Sequence, residues 1–153
     1  MKKILNLIMA TALGLSLVAC GSKEETKKFE GTVNGIKIEN TYTAKDDKII
    51  KQVSKNVIKY ADLNITKKED KEKINAMIKQ KIDENNKLKG VKDELKISDT
   101  ELVENIEIDY TKADLKELKE KKVIQADGDL SKGLSMSKTA EAQKNSGLKE
   151  VKK

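Results

Sequence analysis

The first twenty residues of this 153-residue chain limit which part of it can form a folded domain. Lys2 and Lys3 are followed by an uncharged, largely apolar run from Ile4 to Val18. A permanent transmembrane helix needs about 20 apolar residues, so this run is too short for that role. A short apolar run behind positive charges is typical of a signal peptide. We therefore expect residues 1–19 to be removed, which leaves the fold to the residues that follow.

The apolar run ends at the only cysteine of the chain, in the sequence Leu17-Val18-Ala19-Cys20. This sequence resembles the bacterial lipobox, in which a small residue precedes the cysteine that becomes the mature N-terminus. The resemblance implies a thioether-linked diacylglyceryl group and an amide-linked acyl chain on Cys20. At about 0.8 kcal/mol for each buried methylene, such chains hold a protein on a bilayer far more firmly than a single myristoyl chain. We predict that Cys20 is a lipid anchor; a buried thiol is the disfavoured alternative.

The anchor predicts three parts along the chain. Residues 1–19 are a lipoprotein signal peptide, residues 20–28 are a lipidated N-terminus with a polar tether, and residues 29–153 are a single domain. The domain is expected to be extracytoplasmic, held through Cys20 on the cell membrane or the outer membrane. The mature chain has only a mild excess of lysine over acid and no arginine for bidentate contacts to bases. We therefore predict no nucleic-acid partner.

Five segments have alternating apolar residues or many β-branched residues and are predicted to be strands: residues 29–33, 36–42, 49–60, 91–97 and 102–110. Asn34-Gly35 is a preferred dipeptide for a type I′ hairpin, and residues 45–48 form a second turn. In the third strand we expect Ile49, Val53 and Val57 to share one face. The alternation there is imperfect, which indicates a β-bulge.

Helical patterns complete the predicted domain. The capping box Thr66-Lys67-Lys68-Glu69 precedes an apolar stripe that includes Met77, and it predicts a helix over residues 67–87. Shorter helices are predicted over residues 112–121 and 136–145. The order β-β-β-α-β-β-α-α predicts a single-domain α+β fold. We expect an antiparallel sheet of about five strands with two to three helices packed on one face.

Two patterns resemble catalytic or metal-binding motifs but lack the other residues that those motifs need. Ser135-Met136-Ser137-Lys138 fits the S-x-x-K motif of penicillin-recognising enzymes, but no S-D-N follows, and the nearest sequence to K-T-G, Lys138-Thr139-Ala140, overlaps the first motif. No G-x-S-x-G occurs either, and without histidine the usual base of a serine triad is missing. Asp127, Asp129 and Ser131 stand at positions 1, 3 and 5 of an EF-hand-like loop. Lys138 replaces the bidentate glutamate, and its charge repels calcium. We predict no catalytic, cofactor-binding or metal-binding residue.

Carboxylate pairs and aromatic residues have structural interpretations. Glu107 and Asp109 share one face of the fifth predicted strand, roughly 7 Å apart, as the residues of a carboxylate-dependent hydrolase do. The favoured alternative is a solvated face of an antiparallel sheet, because lysine is abundant. The four aromatic residues are assigned to the core: Phe29, Tyr42, Tyr60 and Tyr110.

Short blocks in a fixed order run along the mature chain: Lys23–Phe29, Asn34-Gly35, Asp47-Lys48, Thr66–Asp70, Gly90-Val91, Glu104-Asn105, Ile108-Asp109, Lys132-Gly133 and Gly147–Lys152. Their order and spacing resemble the YehR-like family of small bacterial lipoproteins. The resemblance extends from the lipobox to the C-terminus and implies an α+β domain on a lipid anchor. That family has no established activity, so Cys20 is the only site residue that the resemblance supplies.

Three functions are open on this sequence. The first is a non-enzymatic envelope lipoprotein that presents a binding surface to another protein or envelope component. The second is a binder of a small ligand, a lipid or a peptide, in a cavity of at least about 300 Å³ between sheet and helices. The third and least favoured is a carboxylate-dependent hydrolase, which needs an acid pair in a cleft with a raised pKa.

Overall fold

The computed structural model describes residues 23–126 and 129–152. Within those residues the chain forms six strands and three helices: β1 Glu24–Val33, β2 Ile36–Lys45, β3 Lys48–Lys59, α1 Lys68–Asn85, β4 Val91–Ile97, β5 Glu101–Asp109, α2 Leu115–Glu120, α3 Met136–Asn145 and β6 Lys149–Val151. Cys20 and Asp127 lie outside the described residues. The six strands form one antiparallel sheet in the order β4-β5-β3-β2-β1-β6. The predicted α+β class is confirmed, with six strands rather than about five.

The sixth strand is the element that the sequence pattern did not reveal. Lys149, Glu150 and Val151 pair with Glu30, Phe29 and Lys28 of β1. Leu148, just before this strand, is only 5% exposed and packs in the core. Three residues are too few to show apolar alternation, so the sequence pattern does not indicate this strand. It forms because the edge of β1 offers backbone groups for hydrogen bonding.

Strand β1 begins at Glu24, whereas the sequence placed the start of order at Phe29. Its charged first half pairs residue by residue with β2, from Glu24 opposite Lys45 to Lys28 opposite Thr41. Backbone hydrogen bonds of a ladder do not require apolar side chains. The five residues Glu24 to Lys28, which were assigned to the polar tether, are therefore part of the sheet.

Both predicted hairpin turns have the backbone geometry that two-residue turns need. Asn34 and Gly35 have φ values of 52° and 80°, and Asp46 and Asp47 have 49° and 65°. Positive φ at both central residues is the mark of a type I′ turn, which suits the right-handed twist of the flanking strands. Strands β1, β2 and β3 therefore form a continuous meander.

The predicted bulge is present at the start of β3. Thr43 pairs with Lys51 but Ala44 pairs with Ile49, so Ile50 is the extra residue. The bulge turns Ile49 into the core at 1% exposure while Val53 is 40% exposed. The prediction that Ile49 shares a face with Val53 and Val57 is wrong, because one extra residue reverses the alternation.

Helix packing divides the sheet into two faces. On the face that carries Phe29, called the inner face, α3 packs through Met136 and Ala140. Leu118 of α2 packs on Ile108 of the same face. The opposite side, called the outer face, carries the other residues of each strand.

Helix α1 spans Lys68–Asn85, close to the predicted range, but it starts without the predicted capping box. Its N-cap is Lys67, and among the described residues no side chain caps it. The N-cap is one residue later than predicted, so Thr66 precedes it and does not cap the helix. Met77 was expected in the buried stripe but is 70% exposed. The helix instead presents Asn75 to Tyr60, whose hydroxyl donates a 2.7 Å hydrogen bond to the Asn75 Oδ1.

The aromatic residues pack as predicted. Phe29, Tyr42 and Tyr60 are at most 5% exposed. Phe29 and Tyr42 meet edge to face, with ring centroids 6.1 Å apart. Tyr110 is half-buried and contacts both apolar clusters of the inner face.

Candidate functional site

The serine of the S-x-x-K pattern has a structural role at the start of α3. The Ser135 hydroxyl accepts from the Lys138 backbone N–H at 3.3 Å and donates to the Asp47 carboxylate at 2.7 Å. The Ser137 backbone N–H donates to the same carboxylate at 2.8 Å. These hydrogen bonds, the Ser135 hydroxyl first, lower the pKa of Asp47. A carboxylate held in its ionised form by these donors is a poor base, so this cluster joins the β2–β3 turn to α3 rather than activating a nucleophile.

The calcium-loop pattern contains an ordinary turn in its described part. Asp129 accepts hydrogen bonds from the Ser131 backbone N–H at 2.9 Å and from its hydroxyl at 2.8 Å. Both lower the pKa of Asp129. Within residues 23–126 and 129–152, no group of three or more acidic or cysteine side chains is placed to hold a metal ion.

The strand carboxylates Glu107 and Asp109 form ion pairs on open surface. Lys51 Nζ lies 2.8 Å from Glu107, and Lys112 Nζ lies 2.7 Å from Asp109. The hydrogen bond from Lys112, followed by that from Thr111, lowers the pKa of Asp109 to about 2. A general acid needs the opposite shift. These two residues therefore lack the electrostatic environment of a hydrolase.

The inner face carries a row of polar residues that the apolar alternation in the sequence does not indicate. Asn40 donates to Gln143 of α3 at 2.7 Å, Gln52 donates to Ser54 at 2.8 Å, and Asn56 donates to Glu104 at 2.6 Å. Asn40 and Ser54 are directly opposite each other on β2 and β3 and are both buried. Because each of these groups has a partner, the row is a satisfied network between the two apolar clusters.

One carboxylate among the described residues has a strongly raised pKa, and it is sealed inside. Asp93 of β4 is 3% exposed and Asn85 of α1 is 4% exposed. The Asn85 amide donates to Asp93 Oδ2 at 2.8 Å, while Oδ1 of each residue has no hydrogen-bond partner among the described residues. Burial raises the pKa of Asp93 to about 6, and the charge of Glu104 adds to that effect.

Asp93 is held by its backbone as well as by its side chain. Its N–H donates to the Asn86 Oδ1, and its carbonyl accepts from the Asn86 Nδ2, both at 2.8 Å. The end of α1 is therefore attached to β4 by two consecutive asparagines. A group so enclosed has no surface on which a substrate binds, so the raised pKa concerns stability rather than catalysis.

Two open grooves lie on the described surface. The larger, about 560 Å³, runs along the β1–β6 edge between Glu30, Thr32, Lys37 and Lys149. The smaller, about 410 Å³, lies beside the β2–β3 turn between Lys45, Lys48, Ile50 and Tyr110. Neither of these two grooves lies between the sheet and the helices, where the ligand cavity was expected.

The outer face carries pairs of opposite charge around a small group of valines. Val57 of β3 stands directly opposite Val103 of β5, and Val53 is 40% exposed beside them. Lysine and glutamate form salt bridges around this centre, as in Lys51–Glu107 and Lys92–Glu94, both 2.8 Å. Pairs of opposite charge therefore surround the valines of this face.

No helix within the described residues is both long enough and apolar enough to span a bilayer.

Known proteins are similar to this chain over almost all of its length. Residues 25–149 match a family described as "Protein of unknown function (DUF1307)". The uncharacterized lipoprotein Lmo0207 of Listeria monocytogenes is 37% identical over 153 residues, which cover 100% of this chain and 98% of the relative. The uncharacterized lipoprotein YehR of Escherichia coli is 38% identical over 151 residues, covering 98% of this chain and 97% of the relative.

Two solved structures have a similar fold. The NMR structure of the E. coli YehR protein superposes with a TM-score of 0.68 at 38% identity, covering 86% of this chain and 94% of that one. The NMR structure of a protein from Streptococcus pneumoniae TIGR4 gives a TM-score of 0.56 at 24% identity, covering 99% of both chains. The second likeness concerns the fold alone.

Proposed function

Since the chain belongs to the DUF1307 family, as the predicted resemblance to YehR-like lipoproteins indicated, we propose that it is a lipid-anchored, non-enzymatic binding protein of the cell envelope. In this proposal residues 1–19 are removed and Cys20 carries the acyl chains. The similarity to Lmo0207 supports this, because it covers the whole chain and that relative is a lipoprotein. The domain then lies outside the cytoplasm on the cell membrane or the outer membrane.

The outer face is the observation that carries the binding role. The three helices pack on the inner face, so in the described part of the chain the outer face has no covering element. Val53 is exposed, Val57 and Val103 are partly buried beside it, and charged residues surround the three, an arrangement of apolar centre and polar rim that protein interfaces share. Small-molecule sites are concave, whereas this face is a sheet surface. Because its lysines alternate with glutamates, it fits a protein of mixed charge better than a polyanion.

Charge and burial of the acids support a non-enzymatic role. Glu107 and Asp109 are neutralised by lysines on open surface, and the pKa of Asp109 is lowered. Asp93 has the raised pKa of a general acid but is 3% exposed. The combination that a carboxylate-dependent hydrolase needs, a raised pKa in an accessible cleft, is therefore not found among the described acids.

A small ligand is the second candidate, and the larger groove is the observation that favours it. Its volume of about 560 Å³ lies in the range of ligand pockets, roughly 300–1,000 Å³. The groove follows the β1 edge next to the short strand β6, so an extended peptide fits it better than a lipid tail does. It ranks second because it is open to solvent along its length.

Photo-crosslinking in the native envelope tests the binding role. A photoreactive amino acid at position 57 places the probe among the valines of the outer face, and one at position 119 places it on exposed α2 as the control. We expect position 57, and not position 119, to give one recurring crosslinked protein. No crosslink from position 57, or the same products from both positions, would contradict the proposal.

A further inference from the structure

The backbone next to the proposed anchor is attached to the tip of the β2–β3 hairpin. The Lys23 N–H donates to Asp46 Oδ1 at 2.9 Å, and the Asp46 N–H donates to the Lys23 carbonyl at 3.0 Å. The ladder then continues with Glu24 opposite Lys45. At residue 23 the backbone is therefore hydrogen-bonded to the turn that joins β2 and β3.

The length of chain before residue 23 sets how far this turn can be from the anchor. Two residues, Gly21 and Ser22, separate Cys20 from Lys23. A fully extended chain spans at most about 3.6 Å per residue, so the Cα atoms of Cys20 and Lys23 are within about 11 Å of each other. Acyl chains on Cys20 enter the hydrocarbon layer and hold that residue at the level of the lipid headgroups. The hairpin tip must then lie close to the headgroups as well.

The tip belongs to a surface that we call the hairpin pole: the turn Lys45–Lys48, the backbone at Lys23, and the adjoining residues 132–135. A β-bridge joins Lys48 to Ser135, and the Met136 N–H donates to the Asp47 carbonyl at 2.7 Å. The Lys48 side chain lies across Gly133, where a Cβ would stand 2.6 Å from its Cε. The pole is therefore one rigid surface rather than a free loop.

The hairpin pole carries both acidic and basic side chains. The carboxylates of Asp46 and Asp47 accept hydrogen bonds from Lys23, Ser135 and Ser137. Lys45 and Lys48 are exposed, and among the described residues neither forms a salt bridge. Their ammonium groups are therefore available to donate to phosphate oxygens outside the protein.

We propose that the hairpin pole contacts the phospholipid headgroups of the bilayer that holds the anchor, with Lys45 and Lys48 donating to lipid phosphates. This inference rests on the proposed lipidation of Cys20. Strand β1 runs away from the pole for ten residues, about 30 Å at the usual rise of a strand. The β1–β2 turn and the start of α1 then lie far from the bilayer, because Asp62 packs on Gly35 at that end. The outer face remains open to a partner from the side.

Fluorescence quenching on the lipidated protein tests this orientation. The protein is purified from membranes and reconstituted in vesicles of phosphatidylcholine and phosphatidylglycerol that contain a lipid with a nitroxide on its headgroup. Thioether formation consumes the thiol of Cys20, so a single introduced cysteine is the one free thiol to label. Lys132→Cys places the label on the hairpin pole and keeps Lys45 and Lys48, and Lys67→Cys, just before α1, is the distal control. Ser131→Cys, the neighbouring exposed residue, is a second proximal position that also keeps both proposed donors.

We expect the labels at positions 132 and 131 to lose most of their fluorescence in nitroxide vesicles and the label at position 67 to keep it. Flotation of the vesicles, measured on the same samples, reports the anchor separately. A protein that floats with the vesicles but is quenched equally at all three positions, or at none, would overturn the orientation and leave the anchor standing. A protein that does not float would overturn the anchor and the orientation with it.

Discussion

The side-chain amide of Asn85 donates to Oδ2 of Asp93 at 2.8 Å inside the domain, and Oδ1 of each residue is left without a hydrogen-bond partner among the described residues. The arrangement suits a protonated Asp93 or an amide in its place. A protonated carboxyl group or a side-chain amide at position 93 supplies one more hydrogen-bond donor. That donor can bond Oδ1 of Asn85, which has no partner among the described residues. Unsatisfied buried acceptors cost roughly 1–3 kcal/mol each, so this pair is a weak point of the fold when Asp93 is ionised.

The pair predicts how stability depends on pH. Burial raises the pKa of Asp93 from the ordinary 3.8 to about 6, so the folded state binds a proton more tightly than the unfolded state does. The contribution of Asp93 to stability is fully present below about pH 4 and is lost as the pH rises through about 6. At about 1.4 kcal/mol per pKa unit, the loss amounts to about 3 kcal/mol.

Asp93→Asn is expected to remove that loss. The free energy of unfolding of the variant, measured by urea denaturation, should exceed that of the wild type at pH 8 and approach it at pH 4. Asp83→Asn makes the same change on an exposed position of α1 and should leave the pH profile of the wild type unaltered. Equal profiles for Asp93→Asn and the wild type would show that Asp93 does not titrate in this range.

Asp47→Ala is expected to loosen the joint between the β2–β3 turn and α3. The Asp47 carboxylate accepts from the Ser135 hydroxyl and the Ser137 backbone N–H, and it supports the first turn of the helix. These hydrogen bonds are exposed to solvent, and alanine is also strained at the φ of 65° of Asp47, so we expect a loss of about 1–2 kcal/mol in unfolding free energy. Asp62→Ala, at an exposed position away from this joint, serves as the control. An unchanged denaturation midpoint in Asp47→Ala would argue against this role.

A comparison of Gly90→Ala with Gly147→Ala distinguishes the stability cost of backbone strain from that of a steric clash. Both glycines have positive φ, 79° and 92°, so alanine is strained at either site by roughly 1 kcal/mol. At Gly90 a Cβ would also stand 2.6 Å from the Asp109 carbonyl oxygen, whereas at Gly147 nothing lies within 4 Å. Gly90→Ala should therefore lower the melting temperature clearly more than Gly147→Ala. Similar losses in both variants would indicate that the β5–α2 turn moves aside.

Cys20→Ser tests the anchor without touching the described domain. The wild-type protein from membranes should partition into the detergent phase of a Triton X-114 extraction, because its acyl chains bind the micelles. Cys20→Ser should lack the acyl chains and keep the residues of the signal peptide, as shown by its intact mass. Ser22→Ala, two residues away, is the control and should behave as the wild type. A wild-type protein that starts at Met1 in the aqueous phase would refute lipidation.

Local features of this domain were predictable, and the pairings between distant segments were less so. Asn34-Gly35 and the turn at residues 45–48 predicted the meander of β1, β2 and β3, because a two-residue turn is specified by its own backbone preferences. The range of α3 was predicted as observed, and the structure adds Ser135 as its N-cap. By contrast, the extension of β1 to Glu24 and the addition of β6 both depend on a partner strand that only the fold brings near.

The chain's amino acids by themselves determined the signal-peptide and lipobox patterns, the hairpin turns and the α+β class, because each arises from residues adjacent in the chain. Only the tertiary structure decided which polar groups acquired a shifted pKa or a long-range hydrogen bond. Asp93 reads in the sequence as one more acid between lysine and glutamate, and it acquires its raised pKa because α1 buries it beside Asn85. Likewise, Asp46 is an ordinary turn residue in the sequence, and only the fold brings its carboxylate to the backbone N–H of Lys23. Burial and long-range contact are properties of the assembled sheet and helices, so no local pattern encodes them.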